Sequence, residues 1–187
     1  MIIPSLIFEI TNSCNLNCGF CYNKNRRANT HISPELFKKA LKKYRPLFLQ
    51  LTGGEITTHP NLKEILEIGK KNSIKMQIST NGLELNKIVE NIVDYINKPI
   101  INISLDAANE DHDIIRDSKG LFNKIIAVIK ENKRYNIPFT FNATIFSENI
   151  IPSLPDGNIK HVSNLIALAE EIKVPINFQP YAPADEG

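Results

Sequence analysis

The stretch "SLIFEITNSCNLNCGFC", residues 5–21, joins a short apolar run to three cysteines. The run at 5–11 is rich in Leu, Ile and Phe, which is typical of a buried β-strand. Cys14, Cys18 and Cys21 follow it and are the only cysteines in the chain. Three thiols are one ligand short of a closed tetrahedral metal site, so this loop predicts a metal centre with an open position.

Beyond this loop, a strand followed by a helix recurs along the 187-residue chain. Ser33 is the predicted N-cap of the first helix, and Pro34 occupies its first position. The predicted strands are 5–11, 47–51, 75–79, 99–105, 138–146 and 175–181, and the predicted helices are 34–44, 61–72, 83–97, 121–136 and 164–173. Largely apolar strands that alternate with helices indicate a parallel sheet covered by helices.

The pattern predicts a single α/β domain over residues 1–187, with a long loop at 147–161. An open doubly wound sheet and a curved partial barrel both fit, and both bind ligands at the carboxyl ends of their strands. Polar groups do follow the predicted strands, namely "TGGE" at 52–55, "STNG" at 79–82, "SLD" at 104–106, Asn142 and Thr144 in strand five, and Gln179 in strand six. We therefore expect one ligand site at this edge of the sheet.

Composition narrows the class of protein. Lys and Arg number 22 against 20 Asp and Glu, and the charges are interspersed, so we expect neither a nucleic acid nor a membrane partner. The chain has no recognisable signal peptide and no apolar run long enough to span a bilayer, so we expect a cytoplasmic protein. Cysteines stay reduced there, which favours metal binding over disulfides. His31 could complete a Cys3His zinc site, and this alternative stays open.

The spacing Cys-x3-Cys-x-aromatic-Cys, with Phe20 as the aromatic residue, resembles the defining motif of the radical S-adenosylmethionine (radical SAM) superfamily. The resemblance implies a partial (β/α)6 TIM-like barrel with a parallel sheet and outer helices. It also implies a [4Fe–4S] cluster held by Cys14, Cys18 and Cys21, with S-adenosylmethionine on the open iron. Reductive cleavage of that cofactor would give a 5′-deoxyadenosyl radical that abstracts hydrogen from a substrate.

Later motifs extend the resemblance. "GGE" at 53–55 is similar to the second family motif, although Ile56 replaces the usual proline, and "HDIIRD" at 112–117 is similar to an HDxxR segment. The resemblance implies that Glu55 contacts the methionine amino group and that Ser104 and Arg116 contact the carboxylate or ribose. Asp106 could instead only cap the following segment. The implied cofactor-binding residues are Phe20, Gly53, Gly54, Glu55, Thr80, Asn81, Ser104, Asp106 and Arg116.

The closest resemblance is to the branch that modifies peptides and proteins, whose members usually carry a cysteine-rich C-terminal domain. No cysteine follows Cys21, so the chain is either a short member or a core without that extension. The resemblance implies a peptide or protein substrate, as in a maturase or activase, and an electron donor such as flavodoxin or ferredoxin. Three alternatives remain: an enzyme acting on a small molecule in cofactor biosynthesis, a non-catalytic iron–sulfur electron carrier, and a zinc-binding module. No catalytic residue can be assigned.

Overall fold

The structure is a computed structural model that describes residues 1–21, 23, 28–148 and 150–182. Six parallel strands form one sheet in the order β1 to β6. The strands are β1 (Ile3–Thr11), β2 (Pro46–Gly53), β3 (Lys75–Thr80), β4 (Ile100–Ser104), β5 (Phe139–Ile145) and β6 (Ile176–Pro180). A doubly wound sheet reverses its strand order at a switch point, whereas a barrel keeps it sequential. The sequential order therefore favours the predicted partial barrel.

Helices connect successive strands. They are α1 (Pro34–Tyr44), α2 (Leu62–Asn72), α3 (Leu85–Ile92), α4 (Asp111–Arg116), α5 (Leu121–Asn132) and α6 (Val162–Ile172), with short 3-10 turns at Ile56–Thr58, Lys133–Tyr135 and Ile159–His161. Ser33 caps α1 as predicted, because its side chain accepts a hydrogen bond from the backbone N–H of Leu36. In the described residues no helix is both long enough and apolar enough to cross a membrane.

The sequence-based count of five helices was wrong, because α4 forms a sixth within the segment between β4 and α5. Only six residues long, α4 offers too few turns for a helical period to stand out. Two predicted helices are also shorter than expected. The helix predicted at 83–97 ends at Ile92, and the one predicted at 121–136 becomes a 3-10 turn after Asn132.

The core lies between the sheet and its helices. Leu49 and Leu51 of β2, Ile78 of β3, and Ile101 and Ile103 of β4 are fully buried and pack into one hydrophobic cluster with the helices. Phe8 of β1 meets Phe37 of α1 edge to face, with the ring centroids 5.0 Å apart. The alternate residues of each strand therefore lie on the opposite, concave face, which is free to carry polar groups.

Candidate active site

A cavity of about 630 Å³ lies at the carboxyl ends of the strands, where the cysteine loop meets the concave face. All of the predicted site residues line it except Glu55 and Asp106. The predicted site residues do not include these further lining residues: Asn23, Gln50, Thr52, Ser79, Asn102, Asn142, Thr144, Gln179, Pro180, Tyr181 and Ala182. The available signal was polar residues at every second position of otherwise apolar strands, such as Gln50 and Thr52 in β2.

The "GGE" segment holds the start of the cysteine loop. The backbone N–H groups of Gly54 and Glu55 donate to the carbonyls of Thr11 and Ser13, each at 2.8 Å. A Cβ on Gly54 would lie 2.3 Å from the Ser13 oxygen, and one on Gly53 would lie equally close to the Thr11 oxygen. These two positions therefore require glycine for the close approach of two backbone segments.

The far end of the cysteine loop is tied to the same strand. The Ile32 N–H donates to the Ile10 carbonyl at 3.0 Å, and the Thr11 hydroxyl bonds to Nδ1 of His31 at 2.9 Å. Nε2 of His31 lies 3.1 Å from the Asn29 side-chain oxygen. Both ring nitrogens of His31 are thus engaged in closing the loop, which does not favour the predicted alternative of His31 as a zinc ligand.

All three cysteines line one cavity, and none of them forms a disulfide. Burial raises the pKa of the Cys18 thiol, and the nearby Arg116 charge acts in the opposite direction. Among the residues that the structure describes, no three His, Cys, Asp or Glu side chains lie close enough to share a single metal ion. A cluster attaches its thiolates to separate irons, so three soft donors around one cavity fit an iron–sulfur cluster better than one zinc ion.

Glu55 lies behind the cavity wall, where it is 1% exposed. Its Oε1 accepts from the N–H and hydroxyl of Thr57 and from the hydroxyl of Thr80, and its Oε2 accepts from the N–H of Asn81 at 2.7 Å. Burial raises the pKa of Glu55, while these four donors act in the opposite direction. The carboxylate therefore joins the 3-10 turn after β2 to the end of β3.

Asn81 connects Glu55 to the cysteine loop, because its backbone bonds to Glu55 and its side chain bonds to the loop. Its Nδ2 donates to the Asn15 side-chain oxygen at 2.8 Å and lies 4.0 Å from the Cys14 sulfur. Its Oδ1 accepts from the N–H of Leu83 at 2.9 Å. Asn81 thus holds the loop beside its first cysteine and lines the cavity at the same time.

A buried ion pair joins α4 to the end of β4. Nε of Arg116 donates to Oδ2 of Asp106 at 2.6 Å, and Oδ1 of Asp106 accepts from the Thr144 N–H at 2.8 Å. Burial alone would lower the pKa of Arg116, but the charge of Asp106 and the bond to it raise that pKa above its ordinary value. The ion pair uses Nε, and the guanidinium, which also interacts with the Cys18 side chain, lines the cavity beside the cysteines.

His112 contacts the backbone of the Asp106 residue in this ion pair. It is fully buried, and its Nδ1 accepts from the Asp106 N–H at 3.2 Å. Burial lowers the pKa of His112 to about 4, although the Asp106 charge opposes the shift. A neutral imidazole that accepts at Nδ1 carries its proton on Nε2, which is buried and has no hydrogen-bond partner among the residues that the structure describes.

Phe20 packs between the cysteine loop and the far side of the barrel. Its ring stacks on Phe146 at 5.6 Å between centroids and meets Tyr181 edge to face at 6.5 Å. The guanidinium carbon of Arg116 lies 5.0 Å from the centre of the Phe20 ring. The aromatic residue of the cysteine motif therefore fixes Arg116 as well as the loop.

The family profile described as the radical SAM superfamily matches residues 8–154, which contain the cysteine loop, the "GGE" segment and Arg116. The chain belongs to the radical SAM superfamily. Membership confirms the two cofactors predicted from the resemblance, a [4Fe–4S] cluster and S-adenosylmethionine, which this family uses. The role of each individual site residue stays a prediction.

Among curated radical SAM relatives, the chain is 36% identical over 149 residues to the antilisterial bacteriocin subtilosin biosynthesis protein AlbA of Bacillus subtilis, matching 76% of this chain and 33% of AlbA. It is also 31% identical over 159 residues to the AdoMet-dependent heme synthase of Methanosarcina barkeri, matching 79% of this chain and 44% of that protein. The chain therefore spans less than half the length of these relatives.

The radical SAM fold is confirmed by a solved structure, Streptococcus suis SuiB bound to the precursor peptide SuiA. The superposition of this chain on SuiB has a TM-score of 0.80 at 18% sequence identity, and it covers 96% of this chain and 40% of SuiB. At that identity the likeness shows the fold alone. It agrees with the sequential strand order in identifying a partial barrel with its helices outside.

Proposed function

We propose that this chain is the core of a radical SAM enzyme that reductively cleaves S-adenosylmethionine and abstracts hydrogen from a peptide or protein. One observation carries the proposal: three cysteine side chains and a guanidinium line a single cavity at the carboxyl ends of a partial barrel. When bound, the cluster and S-adenosylmethionine supply the electron transfer and the radical chemistry. The protein has to bind and orient them.

Some residues of the site are proposed to contact the cofactors, and others to position these cofactor-binding residues. We assign the three cysteines to the cluster and the terminal nitrogens of Arg116 to the methionine carboxylate, because the planar guanidinium fork matches a carboxylate. Ser104 lines the cavity and is assigned to the carboxylate or the ribose. Thr80 and Asn81 line the neighbouring wall.

Glu55 and Asp106 act as positioning residues in this proposal. Both carboxylates are buried and already accept hydrogen bonds or an ion pair from the protein. The geometry thus favours a role for Glu55 in fixing Thr80 and Asn81 over the predicted contact with the methionine amino group. In the same way, Asp106 fixes the orientation of Arg116.

A peptide substrate is supported by the relatives. AlbA takes part in bacteriocin biosynthesis, and the solved SuiB structure contains a precursor peptide, as their names state. A small-molecule substrate is the second candidate, because the heme synthase is 31% identical. The electron would come from a small carrier such as ferredoxin or flavodoxin, and a cytoplasmic location remains part of this proposal.

The test is an anaerobic assay of the iron–sulfur-reconstituted protein with dithionite and S-adenosylmethionine, in which 5′-deoxyadenosine is measured. We expect product from the wild type and none from Cys18→Ala. A pool of random-sequence peptides should raise the yield of 5′-deoxyadenosine, and the masses of the peptides themselves should change. A haem-precursor tetrapyrrole should neither raise this yield nor change in mass. Absence of product would contradict the cleavage activity, and stimulation by the tetrapyrrole alone would favour the small-molecule candidate.

A further inference from the structure

The concave face of the sheet is polar but almost uncharged. In-register neighbours in a sheet share a face, so the pairs Gln50–Gln77, Ser79–Asn102, Ser104–Asn142 and Thr144–Gln179 place amides and hydroxyls together on this side. Glu9 and Lys75 lie on the same face, but neither lines the cavity. Side chains of this kind bind a substrate through hydrogen bonds rather than through charge.

Three cross-strand hydrogen bonds orient these amides. Nε2 of Gln50 donates to the Ser79 hydroxyl at 3.2 Å, and Oδ1 of Asn102 accepts from the Thr140 hydroxyl at 2.9 Å. Nδ2 of Asn142 donates to Oε1 of Gln179 at 3.3 Å. Each amide therefore uses one of its two ends within the sheet and leaves the other end for a ligand.

The amide ends that make no hydrogen bond within the sheet alternate between acceptor and donor along the cavity. Within the described part of the chain, Oε1 of Gln50 and Oδ1 of Asn142 remain as acceptors. Nδ2 of Asn102 and Nε2 of Gln179 remain as donors. From β2 to β6 the order is acceptor, donor, acceptor, donor, and all four residues line the cavity.

We propose that Gln50, Asn102, Asn142 and Gln179, here called the amide row, bind an uncharged peptide segment and select against anionic substrates. A peptide presents carbonyl acceptors and N–H donors in turn, which complements an alternating row. A phosphate or carboxylate would meet two acceptor oxygens in the row, which repel it. The charged guanidinium that lines the cavity, Arg116, is assigned to the methionine carboxylate of the cofactor. The inference rests on the proposed function, because it assigns the substrate class of the same cavity.

Two substitutions isolate the free donors. Asn102→Asp keeps the oxygen that accepts from Thr140, and Gln179→Glu keeps the oxygen that accepts from Asn142. Each replaces the unused N–H donor with a charged acceptor while preserving the shape of the side chain. Gln77→Glu is the matched control, because Gln77 is an amide on the same face that does not line the cavity.

The probes are two short blocked peptides, one of Ala, Ser and Gly and one with a central Asp, titrated calorimetrically into the reconstituted protein with S-adenosylmethionine. We expect the neutral peptide to bind at least tenfold more tightly than the anionic one. Asn102→Asp and Gln179→Glu should each weaken neutral-peptide binding about tenfold, which is the size of one lost buried hydrogen bond. Gln77→Glu should bind like the wild type.

Failure of this inference can be told apart from failure of the proposed function. Formation of 5′-deoxyadenosine without peptide is measured on the same preparations. Equal affinity for the two peptides, no binding of the neutral peptide, or equal losses in Asn102→Asp and Gln77→Glu would overturn the amide row even where cleavage is intact. A preparation that binds the neutral peptide selectively but makes no 5′-deoxyadenosine would retain the row and overturn the enzymatic proposal.

Discussion

At the scale of single residues, Gly54 shows how a motif serves the site without supplying a chemical group. Its N–H pairs with the carbonyl of Thr11, and its missing Cβ leaves room for the Ser13 carbonyl. The cysteine loop begins where these two backbones pass closely beside each other. The motif position is therefore explained by packing between protein segments, before any cofactor is considered.

Gly54→Ala should displace the cysteine loop and reduce its ability to hold the cluster. The added methyl group would lie 2.3 Å from a backbone oxygen, which cannot be relieved by moving a flexible side chain. We expect less iron and acid-labile sulfide per chain after anaerobic reconstitution, with the helical content retained. Gly19→Ala is the control in the same loop, because a Cβ there meets no atom of the described residues within 4 Å. Equal cluster content in both variants would contradict this account.

Glu55→Gln should destabilise the protein although it changes little in shape. The amide would turn a donor towards the Asn81 N–H, which now donates to Oε2 at 2.7 Å. Leaving such buried donors unpaired costs about 1–3 kcal/mol in the free energy of unfolding. Anaerobic urea unfolding would measure this loss, with the exposed Glu64→Gln as the control. A loss no larger than that of the control would show that Glu55 does not join β3 to the turn.

At the scale of elements, α4 and α5 show what sequence patterns could and could not predict. The strands were predicted because their apolar residues are continuous, and α5 because its apolar face repeats over three turns. In contrast, α4 has six residues, and its fold depends on contacts outside itself. Arg116 in α4 was nevertheless predicted as a site residue, because the resemblance carried it without any prediction of a helix.

Asp113 links these two helices. Its carboxylate accepts from the N–H of Gly120 and, at 2.8 Å, from that of Phe122, so it satisfies free donors at the start of α5. Asp113→Ala should cost about 1 kcal/mol in the free energy of unfolding, the usual value of a lost N-terminal cap. The control is Glu110→Ala, because Glu110 makes no side-chain capping bond to α4. Equal unfolding midpoints in urea would contradict the capping role.

At the scale of the whole molecule, the sequence pattern predicted six strands and a site at their carboxyl ends, whereas the barrel was implied only by the family resemblance and its sequential strand order comes from the structure. The carboxyl ends of parallel strands meet at one edge, so residues such as Ser104 and Asn81 were placed correctly in the cavity. The sequence could not show that Glu55 points behind the wall, because the direction of a side chain after a strand depends on the turn that follows. Nor could it show the cross-strand orientation of Asn102 or Gln179, which depends on register.

The stability of the whole protein should fall in acid because of His112. Its pKa is about 4 in the folded state and about 6.5 when unfolded, so the unfolded chain binds the extra proton between these values. The contribution of His112 to the free energy of unfolding is therefore complete above pH 6.5. It is lost as the pH falls towards 4, by up to about 3 kcal/mol. Urea unfolding at a series of pH values would measure it. His112→Asn should flatten the dependence, and an unchanged slope would contradict the assignment.

In the proposed enzyme, Cys14, Cys18 and Cys21 hold a cluster whose fourth iron is open to S-adenosylmethionine. The most direct measurement is the electron paramagnetic resonance spectrum of the anaerobically reconstituted, dithionite-reduced protein with and without S-adenosylmethionine. We expect a [4Fe–4S] signal that changes when S-adenosylmethionine is added, and no such signal from Cys18→Ala. A signal that is identical with and without S-adenosylmethionine, or a protein that binds zinc in place of iron, would contradict it.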